Sequence, residues 1–463
     1  MIDINRMISE NKLDELYKFL HKNENKEICI WGAGPSGEKV LSYIERYGGG
    51  VTVDCFIDND LSKEGTVFCD IYVISPRMFE REKQYAVIVA SGHHLEIIDK
   101  LSEYSITEYY DSMELLYPNT KTFRNFYKGK KYTDYFCPIP FENLLLYRNR
   151  ANSCCSHYIG EVPIGNPQYD TIDEIWNSPF AREIRSSVLN GTFCFCDMDF
   201  CSYAIPKKNI KDPNHLDIIE KERTIIENGP KMLNISVDDS CNLSCKMCRT
   251  TKVDCYKDED VVRLVSNIIE YKWENVEKIV LAGSGEVFYS PNYERILNGI
   301  SDKNFPSLKT IVLYTNAVLF DENKWNKFSW LAEKYEIEVT VSVDAYTEKT
   351  YDKIRRGGSF NAVCKNLQMI SKLRCSGIVK RFQLNYCVQN DNYLEMKDFV
   401  RWAEELKVDH LWFQILRGAV GLENIHERNH PNYRDFVEIV KDPIFCQEWI
   451  DIQQIENELS RRE

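Results

Sequence analysis

The chain has no apolar run approaching the ~20 residues that a membrane-crossing helix needs; the nearest are stretches such as Tyr85–Ala90 and Lys278–Ala282. It also lacks an excess of positive charge, since 58 lysines and arginines face 71 aspartates and glutamates, a net charge of −13. That balance argues against general binding to nucleic acid or to an anionic membrane. No apolar stretch follows the charges of Met1 to Glu10, so a secretory signal is not expected and a cytoplasmic setting is. With 43% hydrophobic and 28% charged residues, the composition excludes a disordered or collagen-like chain. What the chain has in quantity is cysteine. Seventeen cysteines without an export signal point away from disulfides and toward metal.

Its 463 residues are enough for about three domains, and the chain reads as three blocks behind a helical lead-in at 1–24. Over 25–118, short apolar strands (Glu27–Trp31, Val53–Ile57, Tyr85–Ala90) alternate with helical patterns at Gly37–Arg46 and Leu95–Tyr104, which predicts a Rossmann-like parallel sheet. Over 132–205 the segment is cysteine-dense and broken by Pro138, Pro140, Pro163, Pro167 and Pro179, with one helix expected at Thr171–Leu189. Such a region is normally held by something other than its own core. Residues 206–230 read as a polar linker. From 231 to 420 the alternation returns, with strands at Met232–Val237, Lys278–Ala282, Thr310–Tyr314, Glu338–Val343, Arg381–Val388 and His410–Ile415. Helices fit between them, and six βα units predict a partial (β/α)6 barrel, a fold whose chemistry sits at strand C-termini. The tail, 421–463, gives no clear reading.

The sharpest feature is Cys241-Asn-Leu-Ser-Cys245-Lys-Met-Cys248, directly after the first barrel strand. This spacing gathers three thiolates on one loop, as iron–sulfur ligation requires, and three ligands leave one iron of a four-iron cluster open. A structural zinc site is the alternative.

The motif resembles that of the radical S-adenosylmethionine (radical SAM) superfamily, with Met247 in the apolar position before the last cysteine. The resemblance covers residues 231–420. It implies a [4Fe–4S] cluster on Cys241, Cys245 and Cys248 whose open iron chelates S-adenosylmethionine. Reductive cleavage of the sulfonium then gives a 5′-deoxyadenosyl radical that abstracts a substrate hydrogen, with the electron coming from a flavodoxin or ferredoxin. Further positions follow in strand order. Ser284-Gly285-Glu286-Val287 resembles the family's Gly-Gly-Glu-Pro, with Glu286 on the cofactor's ammonium; Tyr314-Thr315-Asn316 ends the third strand. The period of two puts Ser342 and Asp344 on one face, for the ribose hydroxyls, and one arginine of Arg355-Arg356 meets the cofactor's carboxylate.

The middle block resembles the auxiliary cluster domain (SPASM or its shorter twitch form) of the same enzymes, here placed before the barrel. Cys137, one of Cys154 and Cys155, Cys196 and Cys201 would hold one auxiliary [4Fe–4S] cluster, with Cys194 as a substitute for Cys196; a zinc ribbon is the alternative. In the first block, Gly32-Ala-Gly34-Pro-Ser-Gly37 lies between strand and helix and Asp58 ends the next strand, the context of dinucleotide binding. Phe56-Ile-Asp58-Asn59-Asp60 and Ile74-Ser-Pro76 look more like the small Rossmann-like domain of sugar acyltransferases. A nucleotide or nucleotide-sugar, NAD, or a docking role with no ligand all stay open, and His93-His94 is a candidate contact. On the fifth barrel strand, Gln383, Asn385 and Cys387 should point inward, as should Trp412 and Gln414 on the last. Cys387 is the candidate hydrogen donor to a substrate radical; a buried apolar cysteine is the alternative. The expected substrate is a sugar, free or nucleotide- or lipid-linked, undergoing epimerisation, dehydrogenation or dehydration. A peptide is the second choice, and a zinc-stabilised scaffold without catalysis the third.

Overall fold

A computed structural model describes residues 15–79, 83–91, 94–116, 132–155, 159, 163–193, 195–198, 201, 203–281, 283–416 and 424–460. The first sheet contains β1 (Glu27–Trp31), β2 (Cys55–Ile57), β3 (Val67–Phe68), β4 (Ile71–Ile74), β5 (Tyr85–Val89) and β6 (Glu108–Asp111), in the order β3-β4-β2-β1-β5-β6. All its pairings are parallel except β3 with β4. Strands β1 and β5 are buried along nearly their whole length, which is why they read as unbroken apolar runs.

The proline-broken block is not a free-standing unit. Its β7 (Tyr135–Phe136) pairs only with β10 (Ile205–Pro206), but β8 (Asn143–Tyr147) and β9 (Ala151–Asn152) join the large sheet. That sheet continues through β11 (Met232–Ser236), β12 (Lys278–Leu281), β13 (Thr310–Thr315), β14 (Glu336–Ser342), β15 (Val379–Val388), β16 (His410–Ile415) and β17 (Ile450–Asp451). Its order is β17-β16-β15-β14-β13-β12-β11-β8-β9, open at both edges and parallel except for β9. The fold is therefore an open partial barrel with a separate parallel sheet before it. The six expected strands are all present; the additions are β8 and β9 at one edge and β17 at the other.

Side-chain alternation gives the barrel two faces. Ile235, Ile279, Leu281, Ile311, Leu313, Val339, Val341, Phe382, Leu384, Tyr386, Leu411 and Phe413 are almost fully buried against the helices. The concave face carries Asn234, Lys278, Glu338, Thr340, Gln383, Asn385, His410 and Trp412. Polar bonds cross it, Lys278 Nζ donating to Glu338 at 2.8 Å and Gln383 to Asn385 at 2.8 Å. Burial of the outer stripe, at about 25 cal/mol per Å², stabilises the sheet and leaves the inner face for chemistry.

Sequence reading expected a single helix at Thr171–Leu189. Two form instead, Ile172–Trp176 and Pro179–Leu189, because Ser178 caps the second at Ala181 N and Pro179 cannot continue the first. The expected linker contains the helix Pro213–Glu220, capped by Asp212. Nor is the block without a core, since Leu144, Leu146, Ile175, Trp176, Phe180 and Ile184 belong to the barrel's own. Arg185, fully buried, ties the block together. Its guanidinium donates to the carbonyls of Pro140 (2.9 Å), Trp176 (2.8 Å) and Thr224 (2.9 Å) and to Asn177 Oδ1 (2.8 Å), and lies 4.5 Å from the centre of the Trp176 ring. Removing it leaves the buried carbonyls of Pro140 and Trp176 without this donor and loosens Asn177 and Thr224. Arg185→Ala is expected to cost about 3–5 kcal/mol, read as a lower urea midpoint; an unchanged midpoint would contradict this role.

Candidate iron–sulfur and cofactor site

The cysteine loop leaves the C-terminal end of β11 and is held from below by Asp238. Burial works against that carboxylate's charge, but hydrogen bonds from Ser240, Ser290 and Asn292 outweigh it and hold the pKa below the ordinary value. Ser240 N–H donates at 2.9 Å and Asn292 Nδ2 at 2.8 Å. Because Ser290 and Asn292 begin the helix Pro291–Gly299, the same carboxylate fixes the loop after β12. Gly285 on that loop has no room for a side chain, since a Cβ would lie 2.1 Å from the Asp238 carbonyl oxygen. The two loops touch backbone to backbone.

Each of the three sulfurs meets a donor. Cys241 Sγ accepts from Leu243 N–H at 3.4 Å and from Asn316 Nδ2 at 3.8 Å. Cys245 Sγ accepts from Arg355 Nη1 at 3.9 Å, and Cys248 Sγ from Arg249 Nε at 3.4 Å. Burial pushes the Cys241 thiol up to about 11, with the Leu243 N–H and Arg249 acting the other way. Burial likewise raises Cys245, opposed by Arg355. Met247 packs against Cys241, Leu243 and Cys245 as the loop's apolar cover.

Above the loop, Glu286 is buried and accepts from Thr315 Oγ1 at 2.6 Å and from Asn316 N–H at 2.7 Å. Burial raises its pKa to about 6, with those hydrogen bonds limiting the rise. Asn316 joins the two groups, its backbone on Glu286 and its side chain on Cys241 and Asn242.

The expected alternation needs one correction. It ends at Ser342, which stays on the inner face beside Asn385. Asp344 takes a left-handed φ of +64°, and its carboxylate accepts from Arg355 Nε and from Cys387 N–H, each at 2.7 Å. Arg355 also donates to Cys245. Arg356 is exposed and contributes its backbone carbonyl, which accepts from Ser244 N–H at 3.0 Å; Ile354 does the same for Lys246 at 2.8 Å. This segment braces Cys245. Sequence reading missed Asp238 and Arg249 and gave Thr315 no role, because nothing in a sequence shows which carboxylate is buried or what it bonds.

The auxiliary cysteines also gather. The Cys154 thiol is raised well above its ordinary value by burial and then by Cys137, Cys196, Cys155 and Cys201 around it. Burial raises the Cys137 and Cys201 thiols, with the backbone N–H of Ile139, and those of Tyr203 and Ala204, acting the other way. Cys155 lies toward Tyr314 of the barrel. Cys194 falls outside the described residues, as does His93; His94 bonds Asp111 at 2.7 Å. One zinc ion would draw its sulfurs to about 3.8 Å of one another. Among the described residues no three cysteine sulfurs all lie within 4.8 Å, the one such ligand group being Glu142, Asp212 and His215. That group already holds the ammonium of Lys231.

In the first block, Gly32 (φ +129°) and Gly37 have backbone where a Cβ would sit, at 2.3 Å and 2.0 Å. Gly34 is open. Asp58, the carboxylate expected on a ribose, accepts from Lys63 at 2.7 Å and from the loop's own Ala33 N–H at 3.2 Å. The following helix, Pro35–Tyr47, docks on Pro179–Leu189. Arg182 bonds Glu38 at 2.8 Å, Ser36 bonds Glu183 at 3.3 Å, and Lys39 lies over Phe180.

Comparison with known proteins bears on this geometry. Residues 235–403 match the radical SAM superfamily, and residues 24–110 match a family described as C2185-like, N-terminal. Residues 235–403 form a radical SAM domain. Curated relatives include GTP 3′,8-cyclase of Synechocystis sp., 24% identical over 197 residues, covering 40% of this chain and 54% of that protein. GTP 3′,8-cyclase of Clostridium botulinum (strain Hall) is 28% identical over 198 residues, covering 40% and 56%. The chain thus spans about half the length of the curated relatives it matches. Among solved structures, Streptococcus suis SuiB bound to S-adenosylmethionine aligns over 60% of this chain and 61% of that one, with 18% identity and a TM-score of 0.35. No helix of the described residues is long and apolar enough to cross a membrane.

The radical SAM loop fits a cluster, because every thiolate has a donor and the sulfurs are too far apart for one ion. If Glu286 carries the cofactor's ammonium, only its ionised form can do so. Affinity for S-adenosylmethionine is then expected to fall as pH drops through about 6. Glu286→Gln is expected to bind tenfold or more weakly, without that pH dependence, by equilibrium dialysis; pH-independent binding by the unaltered protein would refute the assignment.

Proposed function

We propose that the chain is a radical SAM enzyme that takes a hydrogen atom from a carbohydrate held inside the open barrel. The observation that carries this is the set of N–H and guanidinium donors aimed at the sulfurs of Cys241, Cys245 and Cys248, next to the buried carboxylate of Glu286. Those cysteines would hold a [4Fe–4S] cluster, and Glu286, Asn316 and Ser342 would hold S-adenosylmethionine. Together these groups supply reductive cleavage of the sulfonium, and with it hydrogen abstraction. Arg249 and Arg355 offset the negative charge of the thiolates, and Met247 covers Cys241 and Cys245. Asp344, through Arg355, fixes where that charge compensation sits.

Cys137, Cys154, Cys196 and Cys201 would hold the auxiliary cluster. The sugar reading is supported by the inner face, where side-chain amides of Gln383 and Asn385 stand beside the Trp412 ring. Cys387 lies further along that face, and burial with the nearby Asp344 charge keeps its thiol protonated. It is our choice for the group that returns a hydrogen atom in a redox-neutral turnover, a ferredoxin or flavodoxin electron and a solvent proton restoring it. The glycine loop is best read as a docking element, its ribose-type carboxylate being engaged by Lys63.

Dithionite-reduced, anaerobically reconstituted protein should release deoxyadenosine from S-adenosylmethionine. The Cys241, Cys245 and Cys248 triple alanine variant is expected to lose this at least a hundredfold. Equal release from the two proteins would end the proposal.

A further inference from the structure

The concave face of the barrel contains a cavity of about 310 Å³, whose lining includes none of Cys241, Cys245 and Cys248. Its floor is strand: Tyr314 of β13, Arg381 and Gln383 of β15, His410 and Trp412 of β16. Its other wall comes from the chain's final segment, Asp451 of β17 and the helix Gln453–Ser460, which presents Gln453, Gln454 and Asn457. Tyr203, two residues past Cys201, closes it from the cysteine-rich block. Arg381, His410, Gln453 and Asn457 of this lining have no part in the radical chemistry or the auxiliary cysteine cluster described above.

Its chemistry is specific. Arg381 makes no ion pair among the described residues and is exposed, although its strand neighbours Phe382 and Gln383 are buried. His410 leaves Nδ1 buried without a partner, and burial followed by the Arg381 charge lowers its pKa, so it is neutral. Asp451, the one carboxylate in the lining, uses an oxygen to cap Gln453 N–H at 2.9 Å. An unpaired guanidinium suits a carboxylate or phosphate through two parallel hydrogen bonds. The amides of Gln383, Gln453 and Asn457 suit hydroxyls, and Trp412 and Tyr314 offer flat apolar faces. The volume lies at the small end of the ~300–1,000 Å³ typical of ligand sites, room for one sugar ring and its acidic group.

Position supplies the rest. Gln383 and Cys387 share a face four residues apart, about 13 Å along the strand at ~3.3 Å per residue. A ring held beside Gln383 is too low for its own carbons to react at the Cys387 level. Remote binding of this sort positions the reacting end of a longer substrate.

We infer that this cavity is a recognition subsite for an acidic monosaccharide unit, phosphorylated or carboxylated, at the non-reacting end of a longer glycan or glycoconjugate. The inference rests on the carbohydrate reading above and narrows it. Arg381 binds the anion, His410 and the three amides bind hydroxyls, and Trp412 stacks on the ring.

The test is calorimetric titration of the full-length, anaerobically purified protein with glucuronate, glucose 6-phosphate, glucose, inorganic phosphate and uridine monophosphate. Glucuronate or glucose 6-phosphate should bind at least tenfold tighter than both glucose and inorganic phosphate, and which of the two binds names the acidic group. Arg381→Gln should weaken that binding tenfold or more and Arg381→Lys by less, with Trp412→Leu also impaired. Equal binding by the unaltered protein and Arg381→Gln, tightest binding of uridine monophosphate, or no binding of either sugar acid would overturn it. A protein that holds iron and releases deoxyadenosine yet binds no sugar acid defeats this inference alone; one that does neither defeats the reading beneath it.

Discussion

Three thiolates crowded onto one short loop repel one another, and burial of Cys241 and Cys245 adds to the cost of their charge. The rest of the site follows from how that cost is met. Arg249 and Arg355 each bring a positive charge to one sulfur, while the Leu243 N–H and Asn316 serve the third. Arg355 can approach only because Asp344, in a left-handed conformation, turns its carboxylate back toward it. The Asp238 carboxylate, itself buried, clamps the loop to its neighbour, where Gly285 permits contact that any side chain would prevent.

The same arithmetic explains why the cysteine-rich block does not stand alone. Its hairpin β8–β9 extends the barrel sheet, its apolar residues enter the barrel core, and Arg185 satisfies the Pro140 and Trp176 carbonyls that its irregular backbone leaves open. On its other side, Pro179–Leu189 receives the helix that follows the glycine loop. The three blocks are therefore joined through one short helix and one strand pair.

How much of this was legible depends on the kind of signal. The barrel strands were, because each is apolar on the helix-facing side and bounded by turn residues; Glu27–Trp31 and His410–Ile415 match residue for residue. The cysteine loop was legible because three ligands on one segment need no tertiary information. Asn143–Tyr147 was not, since a five-residue strand amid prolines and cysteines has no periodicity to distinguish it. Asp344 and Arg355 were both read as part of the site, but their pairing with each other was not: strand alternation cannot foresee a left-handed residue, and an arginine's partner is a three-dimensional fact. The tail was opaque for the same reason. Ile450–Asp451 is two residues long, and it becomes a strand only because β16 offers an unpaired edge.

The central claim is that Cys241, Cys245 and Cys248 bind a four-iron cluster with one iron left for S-adenosylmethionine. Electron paramagnetic resonance of the dithionite-reduced, anaerobically purified protein, recorded with and without S-adenosylmethionine, tests it directly. The account predicts a reduced-cluster signal whose g values shift on addition, a shift that disappears in a variant with those three cysteines changed to alanine while any auxiliary signal persists. A signal that S-adenosylmethionine leaves untouched, or a colourless protein containing zinc and no iron, would contradict it.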